Sequence, residues 1–378
     1  MMHILYIYPE FTIKGGADRV IIEKANSLVE VGFRVTIVTE SQMGRDFSFP
    51  LNNSVNHIDI GLDFNKQYKQ GTFRRTYTYL TLLYKYKRQL SIVLKTLRPD
   101  IVITTLGRSI TIITKMRDGS MKIGESHTVK AHVRGFDQME ENGFFHCLVA
   151  KLLKKNTERS VSKLKKLVLL TKEDAADWSG IVDTVVIPNS IPFFPNECAK
   201  LENKQVIIVG RFNDAKGYNY MIEAWTIVHQ HHSDWILHVY GSGELHDQVS
   251  LWIQEKQLLD TIIMHEPTID IMSRYLESSI CAMSSRYEGF PMVLLEAMSC
   301  GVPCVSFDCP YGPRNIIQNE EDGLLVDYLN SQALAKGICR LIEDKELRKR
   351  LGARARENIL RFSKERVILQ WKNFLYGL

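Results

Sequence analysis

The sequence lacks the features that would place the chain across a membrane or outside the cell. No apolar run approaches the roughly eighteen residues that a membrane-spanning helix needs. The first ten residues, MMHILYIYPE, have no charged head, long apolar stretch or small-residue cleavage site, so we expect no signal peptide. The seven cysteines are odd in number and form no CxxC pair, which favours structural thiols over disulfides or a metal site. We therefore expect a cytoplasmic protein.

Acidic residues are scarce in the first half of the chain. Residues 1–188 contain 28 Lys and Arg against 19 Asp and Glu, whereas residues 189–378 contain 20 against 24. Residues 66–98 have nine Lys and Arg, several tyrosines and no acidic residue, and residues 151–172 have eight and one. Basic, aromatic helices of this kind suit an anionic membrane surface or an anionic lipid carrier, and a solvated helix face is the alternative. We expect no nucleic acid, because no nucleic-acid-binding motif accompanies these stretches.

The chain alternates short apolar runs with helical patterns in both halves. Its 378 residues are too many for one ordinary core, so we expect two domains, each a parallel sheet built from βαβ units. Residues 188–204 contain three of the eleven prolines and no periodicity, and we interpret them as a linker. The predicted domains are residues 1–188 and 189–362, and we expect the helical tail, residues 363–378, to pack against the first. The expected strands are HILYIYP, FRVTIVTE, DIVITT, MKIGESH, LVLLT, QVIIVG, WILHVYG, TIIMHE, ICAMSS and CVSFD.

Two glutamates, Glu288 and Glu296, enclose a short apolar helix in the sequence EGFPMVLLEAMSCGVP. Pro291 suits the first helical turn, and Gly301 is a typical end of a helix. Glu296 falls inside the apolar run, where a lone carboxylate is unfavourable unless it is paired, for example with a structural arginine. The amides of the helix start and its partial positive charge form an anion site. A ligand with phosphates at that point and hydroxyls on either side would meet both glutamates, and a sugar nucleotide has this shape.

Basic residues follow the strand QVIIVG in the sequence GRFNDAKG, residues 210–217. Strand ends in doubly wound sheets face the ligand crevice. Arg211 can bind two phosphate oxygens there, and Lys216 can add a point charge. The alternative is that both side chains are simply solvated.

Three weaker motifs also follow predicted strands. Gly15 and Gly16, after Lys14, would let the backbone approach an anion, although an ordinary strand-to-helix turn has the same composition. His127 ends the strand MKIGESH, and a structural histidine is the alternative. Gly241 lies in a glycine-rich turn, YGSGE, which is equally typical of a plain turn.

The spacing of the two glutamates and the loop at residues 210–217 together resemble retaining glycosyltransferases of family four. That family has the GT-B fold, two doubly wound, parallel-sheet Rossmann-like domains that face a central cleft, and the resemblance covers nearly the whole chain. It implies that Glu288 faces the donor sugar, that Glu296 holds the ribose, and that His127 contacts the sugar and helps to organise the leaving group. The implied catalytic residues are His127, Arg211, Lys216 and Glu288. The implied donor-binding residues are Gly15, Gly16, Arg211, Lys216, Gly241, Glu288, Gly289, Phe290, Pro291, Met292, Val293 and Glu296.

The resemblance implies a metal-independent enzyme without a cofactor that transfers a hexose or N-acetylhexosamine from a nucleotide sugar, by family habit a UDP-sugar. The acceptor would be a saccharide or lipid-linked saccharide in capsule, lipopolysaccharide or glycan assembly, at the inner face of the membrane. The residues at 265–268 fall where the family's backbone meets the base. Two positions depart from the family pattern, Ser190 where glycine is common and Asn315 where glutamate is common. The alternatives are a sugar-nucleotide epimerase or glycan phosphorylase on the same fold, and a non-catalytic membrane-associated scaffold.

Overall fold

The structure, a computed structural model, describes residues 1–12, 15–69, 71–135 and 144–378. Within these residues, thirteen strands form two sheets, and every pairing between them is parallel. The strands are β1 His3–Tyr8, β2 Arg34–Thr39, β3 Asn56–Asp59, β4 Ile101–Thr105, β5 Met121–Glu125, β6 Lys166–Leu169, β7 Thr184–Val186, β8 Gln205–Val209, β9 Ile236–Tyr240, β10 Ile262–His265, β11 Ile280–Met283, β12 Cys304–Phe307 and β13 Gly323–Val326.

Helices connect these strands. The α-helices in the described residues are α1 Gly16–Glu30, α2 Thr72–Leu97, α3 Ile110–Ile113, α4 Phe144–Val161, α5 Lys172–Asp177, α6 Tyr218–His231, α7 His246–Glu255, α8 Ile271–Glu277, α9 Met292–Ser299, α10 Ser331–Glu343, α11 Lys345–Asn358 and α12 Lys364–Tyr376. Short 3₁₀ helices span Phe64–Lys69, Lys130–Gly135, Asp214–Lys216, Pro313–Asn315 and Ile359–Phe362. None of the helices in the described part of the chain combines the length and apolar composition that crossing a bilayer requires.

The chain divides into two compact units. The first contains Met1–Ile187 and Ile368–Leu378, and the second contains Pro188–Val367. The C-terminal helix α12 therefore begins in the second unit and continues into the first. Each unit has one sheet, because β1 to β7 lie in the first and β8 to β13 in the second.

The first sheet has the order β3-β2-β1-β4-β5-β6-β7, which reverses between β1 and β4. Its buried strands are rich in Ile, Leu and Val, as expected for a parallel sheet covered on both faces. On one face Leu5 and Val102 pack against α2, and Leu167 packs with Val161 of α4. On the other face Tyr6 lies near Lys24 of α1, whose ammonium is also covered by Trp371 of α12.

The second sheet has the order β10-β9-β8-β11-β12-β13, which reverses between β8 and β11. The segment before it, interpreted as a linker, has no regular structure but is held within the second unit. Ile191 donates its amide hydrogen to the carbonyl of Phe362 at 2.9 Å, and Ala199 donates to Cys300 at 2.8 Å. These bonds attach the segment to the second unit, which contains all of it.

The predicted fold class of two doubly wound, parallel-sheet α/β domains is confirmed. All ten expected strands are present, but the prediction missed three others: β3, β7 and β13. Each of these lies at an edge of its sheet. An edge strand pairs on one side only and is less buried, so its sequence carries a weaker apolar signal. In β3, NHID, that signal is almost absent.

Candidate functional site

The candidate site lies at the carboxyl ends of β8 and β11. The order of the second sheet reverses between these two strands, and ligands of doubly wound sheets bind beside such a reversal. β8 leads directly into the loop at residues 210–217, and β11 leads to Glu288 and then to α9. The topology therefore brings the two strongest sequence motifs to the same edge of one sheet.

Close backbone contacts determine the shape of the loop at residues 210–217. A Cβ atom on Gly241 would lie 1.9 Å from the carbonyl oxygen of Gly210, and one on Gly217 would lie 2.3 Å from the carbonyl oxygen of Ser284. Gly217 also has φ +59°, which favours glycine. The Ser284 hydroxyl donates to the carbonyl of Lys216 at 3.0 Å. Gly241 is thus required by the turn itself, and its contact with a donor stays a prediction.

Lys216 and Glu288 are in direct contact. Lys216 Nζ donates to Glu288 Oε1 at 2.5 Å, and the Ser285 hydroxyl donates to the same oxygen at 2.7 Å. Both charged side chains are mostly buried, with 23% and 13% exposed. Burial, together with the nearby charge of Glu288, raises the pKa of Tyr218, whose hydroxyl donates to Gly210 at 2.8 Å. A cation and a carboxylate held side by side can bind a phosphate and a sugar hydroxyl at one place.

A glycine that the sequence analysis did not single out holds Glu288 in position. Glu288 forms a parallel β-bridge with Tyr311, which has φ +74°. At the next residue, Gly312, a Cβ atom would lie 2.5 Å from Pro291 Cδ and 2.9 Å from Glu288 Cβ. Only glycine fits this contact. The signal in the sequence was the turn PYGP, residues 310–313, whose partner could not be identified without the fold.

Helix α9 starts one residue later than predicted. Pro291 is its N-cap, with extended backbone angles of φ −69° and ψ 109°, and is not in the first turn. The helix ends as expected, because Gly301 follows it with φ +75°. The first amides of a helix have no partner inside it, so Met292 and Val293 present theirs at this end. Gly289 belongs to the turn that leads from Glu288 to the helix.

Phe290 is a core residue. Its ring is buried and lies 5.2 Å from the ring of Phe362, in an edge-on arrangement. The side chain therefore anchors the turn before α9, and a donor would meet Phe290 only through its backbone.

Glu296 has a hydroxyl partner. The carboxylate is buried in α9, and the Tyr275 hydroxyl donates to its Oε2 at 3.1 Å. Burial and the adjacent Glu296 charge raise the pKa of Tyr275, which therefore stays protonated as a donor. This contact lowers the unfavourable free energy of a carboxylate in an apolar helix. The expected role of Glu296 toward a ribose stays a prediction.

Arg211 and Asn213 extend the polar character of the same loop. Arg211 is exposed, and within the described ranges its side chain has no hydrogen-bond or ion-pair partner. The side-chain oxygen of Asn213 is buried and lacks a hydrogen-bond partner among the described residues. Asn213 was not singled out from the sequence, where an asparagine in a loop carries no specific signal.

His127 lies beside a buried ion pair in the first unit. Its Nε2 is 3.0 Å from Glu125 Oε1, although the two are not aligned for a hydrogen bond. Glu125 accepts hydrogen bonds from Lys24 and from the Tyr6 hydroxyl instead. Burial lowers the pKa of Lys24, and contact with Glu125 opposes that shift by favouring the ammonium form. The Trp371 ring, 4.5 Å from Lys24 Nζ, covers the pair.

The glycine motif of the first unit opens α1. Gly15 is the N-cap of that helix, with an extended backbone, and Gly16 is its first residue. Lys14 lies outside the described residues. The two glycines thus lie at a strand-to-helix turn. This position agrees both with an anion-binding turn and with an ordinary turn, so it does not distinguish the two interpretations.

An aromatic pair lies at the carboxyl ends of β9 and β10. The rings of Tyr240 and His265 are stacked, with centroids 4.4 Å apart and planes 10° apart, and His238 Nδ1 is 2.9 Å from His265 Nε2. Burial, with help from the nearby Arg274 charge, lowers the pKa of both histidines. The imidazoles are therefore neutral at neutral pH and form a flat, polar-edged surface at the start of the segment 265–268.

Residues 192–358 match the family described as "Glycosyl transferases group 1". The matched stretch is less than half of the chain. The match covers every candidate site residue from Arg211 to Glu296, and it confirms the resemblance inferred from the motifs. The Lys216–Glu288 contact therefore lies within the stretch that is similar to that family.

Two curated relatives and one solved structure extend the comparison. An uncharacterized glycosyltransferase of Haemophilus influenzae is 30% identical over 220 residues, which cover 57% of this chain and 62% of the relative. The amylovoran biosynthesis glycosyltransferase AmsD of Erwinia amylovora is 30% identical over 222 residues, which cover 56% and 62%. The chain thus spans less than two thirds of the length of these relatives. A TarM variant from S. aureus, in complex with Fondaparinux, alpha-GlcNAc-glycerol and UDP, shares the fold with a TM-score of 0.79 at 16% identity, over 99% of both chains.

Proposed function

We propose that the protein is a retaining glycosyltransferase that moves a hexose or N-acetylhexosamine from a nucleotide sugar to a saccharide acceptor. The contact between Lys216 and Glu288, at the strand reversal of a group 1 glycosyl transferase domain, carries this proposal. A sugar nucleotide presents phosphate oxygens and sugar hydroxyls a few ångströms apart. A cation and a carboxylate at 2.5 Å from each other match that pairing.

The protein's own charges would stabilise the diphosphate of the donor. Lys216 and the exposed Arg211 offer cationic side chains, and the start of α9 offers the amides of Met292 and Val293 with the positive end of the helix dipole. Because these groups supply positive charge where the leaving group gains negative charge, we propose that transfer needs no metal ion and no cofactor.

Retention of configuration would follow from attack on the donor face that the diphosphate leaves. The bond from the anomeric carbon to the diphosphate oxygen breaks, and its electron pair leaves on the diphosphate. The acceptor oxygen bonds to that carbon, and its proton passes to the departing diphosphate. Glu288 would orient the sugar and stabilise positive charge at the reacting carbon. Its Oε1 accepts hydrogen bonds from Lys216 and Ser285, which suits an electrostatic role better than that of a nucleophile.

His127, Gly15 and Gly16 are the candidate residues of the first unit. We propose that His127 contacts the donor sugar and helps to organise the leaving group, and that the glycine turn faces the donor phosphates or the acceptor. The strand-end position of His127 supports the first role. The backbone at residues 265–268, which begins at the stacked His265, would contact the base of the donor.

The relatives support a uridine donor and a bacterial polysaccharide acceptor. The TarM structure contains UDP, and the AmsD protein is named for amylovoran biosynthesis. We propose a UDP-linked donor and an acceptor that is a saccharide or lipid-linked saccharide of capsule, lipopolysaccharide or glycan assembly. A lipid-linked acceptor would place the enzyme in the cytoplasm as a peripheral protein at the inner face of the membrane. The excess of basic residues in residues 1–188 favours this location.

A thermal-shift screen of sugar nucleotides, followed by hydrolysis and transfer assays on the donors that bind, tests the proposal. We expect at least one UDP-sugar to raise the melting temperature and to be hydrolysed slowly with retention at the anomeric carbon. Interconversion of sugar nucleotides without an acceptor would support an epimerase. Turnover only with inorganic phosphate would support a phosphorylase, and absence of any sugar-nucleotide binding would support a scaffold.

Matched variants connect this result to the site. Lys216→Met and Glu288→Gln should abolish the donor-dependent shift or the hydrolysis, whereas Lys336→Met and Glu255→Gln, exposed positions of the same unit, should leave both unchanged. If the site variants and the control variants had equal effects, the donor would bind away from Lys216 and Glu288.

A further inference from the structure

Three buried polar side chains form a cluster at the carboxyl end of β5 in the first unit. They are Tyr6 of β1, Lys24 of α1 and Glu125, the last residue of β5, and we name them the Glu125 cluster. Only 6% of the Lys24 side chain and 2% of the Glu125 side chain are exposed, and Tyr6 is buried. The cluster lies next to His127, the candidate catalytic residue of the first unit.

Hydrogen bonds connect every pair of residues in the cluster. The Lys24 ammonium and the Tyr6 hydroxyl donate to the Glu125 carboxylate, and Lys24 Nζ also donates to the Tyr6 oxygen at 3.1 Å. The rings of Tyr6 and Trp371 cover the ammonium, with centroids 4.8 Å and 4.5 Å from Nζ. Trp371 is itself buried. These contacts fix the Glu125 carboxylate in one orientation.

Stability alone does not account for this cluster. Two buried charges lose their hydration, and apolar residues of similar volume are often as stable or more stable. The cost of that desolvation is visible at Lys24, because burial lowers its pKa. A rigid carboxylate at the end of a strand instead suits the orientation of a neighbouring group.

His127 is the neighbour that Glu125 can orient. Its side chain is 12% exposed, and its Nε2 lies 3.0 Å from Glu125 Oε1. Neither ring nitrogen has a hydrogen-bond partner among the residues that the structure describes, which is unfavourable for a buried imidazole. Catalytic hydrogen bonds are often poorly aligned before the substrate binds, and they become aligned in the complex.

The two oxygens of Glu125 leave different room for the histidine. Oε2 accepts hydrogen bonds from both Lys24 and Tyr6, whereas Oε1 accepts one from Lys24 and faces His127 Nε2. Since a carboxylate oxygen has two lone pairs, Oε1 can accept one more hydrogen bond. The cluster therefore directs its remaining acceptor capacity toward the imidazole.

We propose that Glu125 is a positioning residue for His127. Lys24, Tyr6 and Trp371 fix its carboxylate and act on the reaction only through the histidine. When the donor binds, the ring hydrogen on Nε2 is donated to Glu125 Oε1, so Nδ1 accepts a hydrogen bond from a hydroxyl of the donor sugar. This inference rests on the proposed function, in which His127 contacts that sugar.

A double-mutant cycle tests the inference. Lys24→Met with Glu125→Leu removes the ion pair without leaving an unpaired charge. We expect its kcat for hydrolysis of the UDP-sugar that is hydrolysed fastest in the screen to fall by about tenfold to a hundredfold, because the histidine is misplaced. The KM for that donor should stay within about threefold. In a His127→Gln background, the same replacement should change kcat by less than about twofold, because the histidine through which it acts is absent.

A conservative variant isolates one contact of the cluster. Tyr6→Phe keeps the ring and both charges but removes the hydrogen bond to Glu125, and we expect kcat to fall about fivefold. Tyr86→Phe is the matched control, because it removes the hydroxyl of a buried tyrosine on the other face of the same sheet. Its kcat should stay within about twofold of the unmodified value. Circular dichroism confirms that each variant is folded.

Nuclear magnetic resonance measures the positioning of His127 without a donor. In protein with ¹³C-labelled histidine, the His127 Cε1–H signal is the one that His127→Gln lacks. Relaxation of this signal should show a rigid ring on the nanosecond timescale in the unmodified protein and in Tyr86→Phe. The ring should be more mobile in Lys24→Met with Glu125→Leu.

Two outcomes would overturn the inference. The first is an equal loss of kcat from the Lys24 and Glu125 replacements with and without His127, because the cluster would then act on the fold alone. The second is a His127 ring that is as rigid without the carboxylate as with it. If the unmodified protein hydrolyses no sugar nucleotide, the proposed function fails, whereas the ring mobility still shows whether Glu125 positions His127.

Discussion

Lys216 Nζ lies 2.5 Å from Glu288 Oε1, although the two residues are 72 positions apart in the sequence. The loop after β8 supplies the lysine, and the turn after β11 supplies the glutamate. Each side chain thus balances the other's charge while 23% and 13% of their surfaces remain exposed. The pair is the part of the candidate site whose chemistry is most directly testable.

Neutralising Glu288 should abolish transfer without unfolding the protein. Glu288→Gln keeps the shape of the side chain and can still accept a hydrogen bond from Ser285, but it removes the charge that would stabilise the reacting carbon. We expect turnover to fall by about a hundredfold to a thousandfold, and a similar loss for Arg211→Ala. Steady-state kinetics with a donor from the thermal-shift screen measures this. Near-normal turnover of both folded variants would contradict the proposed mechanism.

Breaking the buried ion pair of the first unit should destabilise the protein strongly. Glu125→Gln leaves Lys24 buried beside a neutral amide, which we expect to lower the free energy of unfolding by about 3–5 kcal/mol. Lys24→Met combined with Glu125→Leu removes both charges and should recover most of that loss. Urea unfolding measures both. Arg340→Gln, in an exposed pair with Glu320, is the control and should change the free energy by less than about 1 kcal/mol. If Glu125→Gln lowers the free energy of unfolding no more than this control, then Lys24 and Glu125 do not form a buried ion pair.

A methyl group at Gly312 should displace the carboxylate of the site. Its Cβ atom would lie 2.5 Å from Pro291 Cδ and 2.9 Å from Glu288 Cβ, so the turn before α9 must move. We expect Gly312→Ala to weaken donor binding at least about tenfold, with about 1–3 kcal/mol of overpacking strain. Isothermal titration with the donor and thermal unfolding measure the two effects. Gly71→Ala, where an added Cβ has no atom within 4 Å, is the matched substitution and should preserve donor affinity.

The stability of the first unit should depend on the protonation of Asp174. Burial raises the pKa of this carboxyl to about 6, above its unfolded value of about 3.9. Below pH 4 the group is protonated in both states and has no effect. Between pH 4 and pH 6 the folded state binds the proton more tightly, so this contribution to stability falls as the pH rises and is fully lost above pH 6.

Asp174→Asn should therefore be more stable than the unmodified protein at pH 7.5, by about 3 kcal/mol, and equal to it near pH 4. An asparagine can still accept the amide hydrogen bond from Lys130. Urea unfolding at both pH values measures the difference. Asp260→Asn, an exposed carboxyl, serves as the reference and should show no such change with pH. A difference that is the same at pH 4 and pH 7.5 would mean that Asp174 has an ordinary pKa.

Local composition was sufficient for much of the fold. Central strands such as β1, β4 and β8 are continuous apolar runs that a parallel sheet buries on both faces, so their sequences identify them. Helix α9 was recognisable from Pro291 and Gly301, although the proline proved to be the cap and not the first turn. These features depend on neighbours in the chain, and the sequence shows them directly.

The sequence by itself thus determined the two-domain α/β class, the central strands and the loops that carry Arg211, Lys216 and Glu288. Only the tertiary structure decided which side chains meet. It paired Lys24 with Glu125 across 101 residues, brought Gly312 against Glu288, and added the edge strands β3, β7 and β13. The physical reason is that such contacts depend on the order of strands in a sheet. The strand order depends on how the whole chain buries its apolar residues, and no short segment of the sequence shows it.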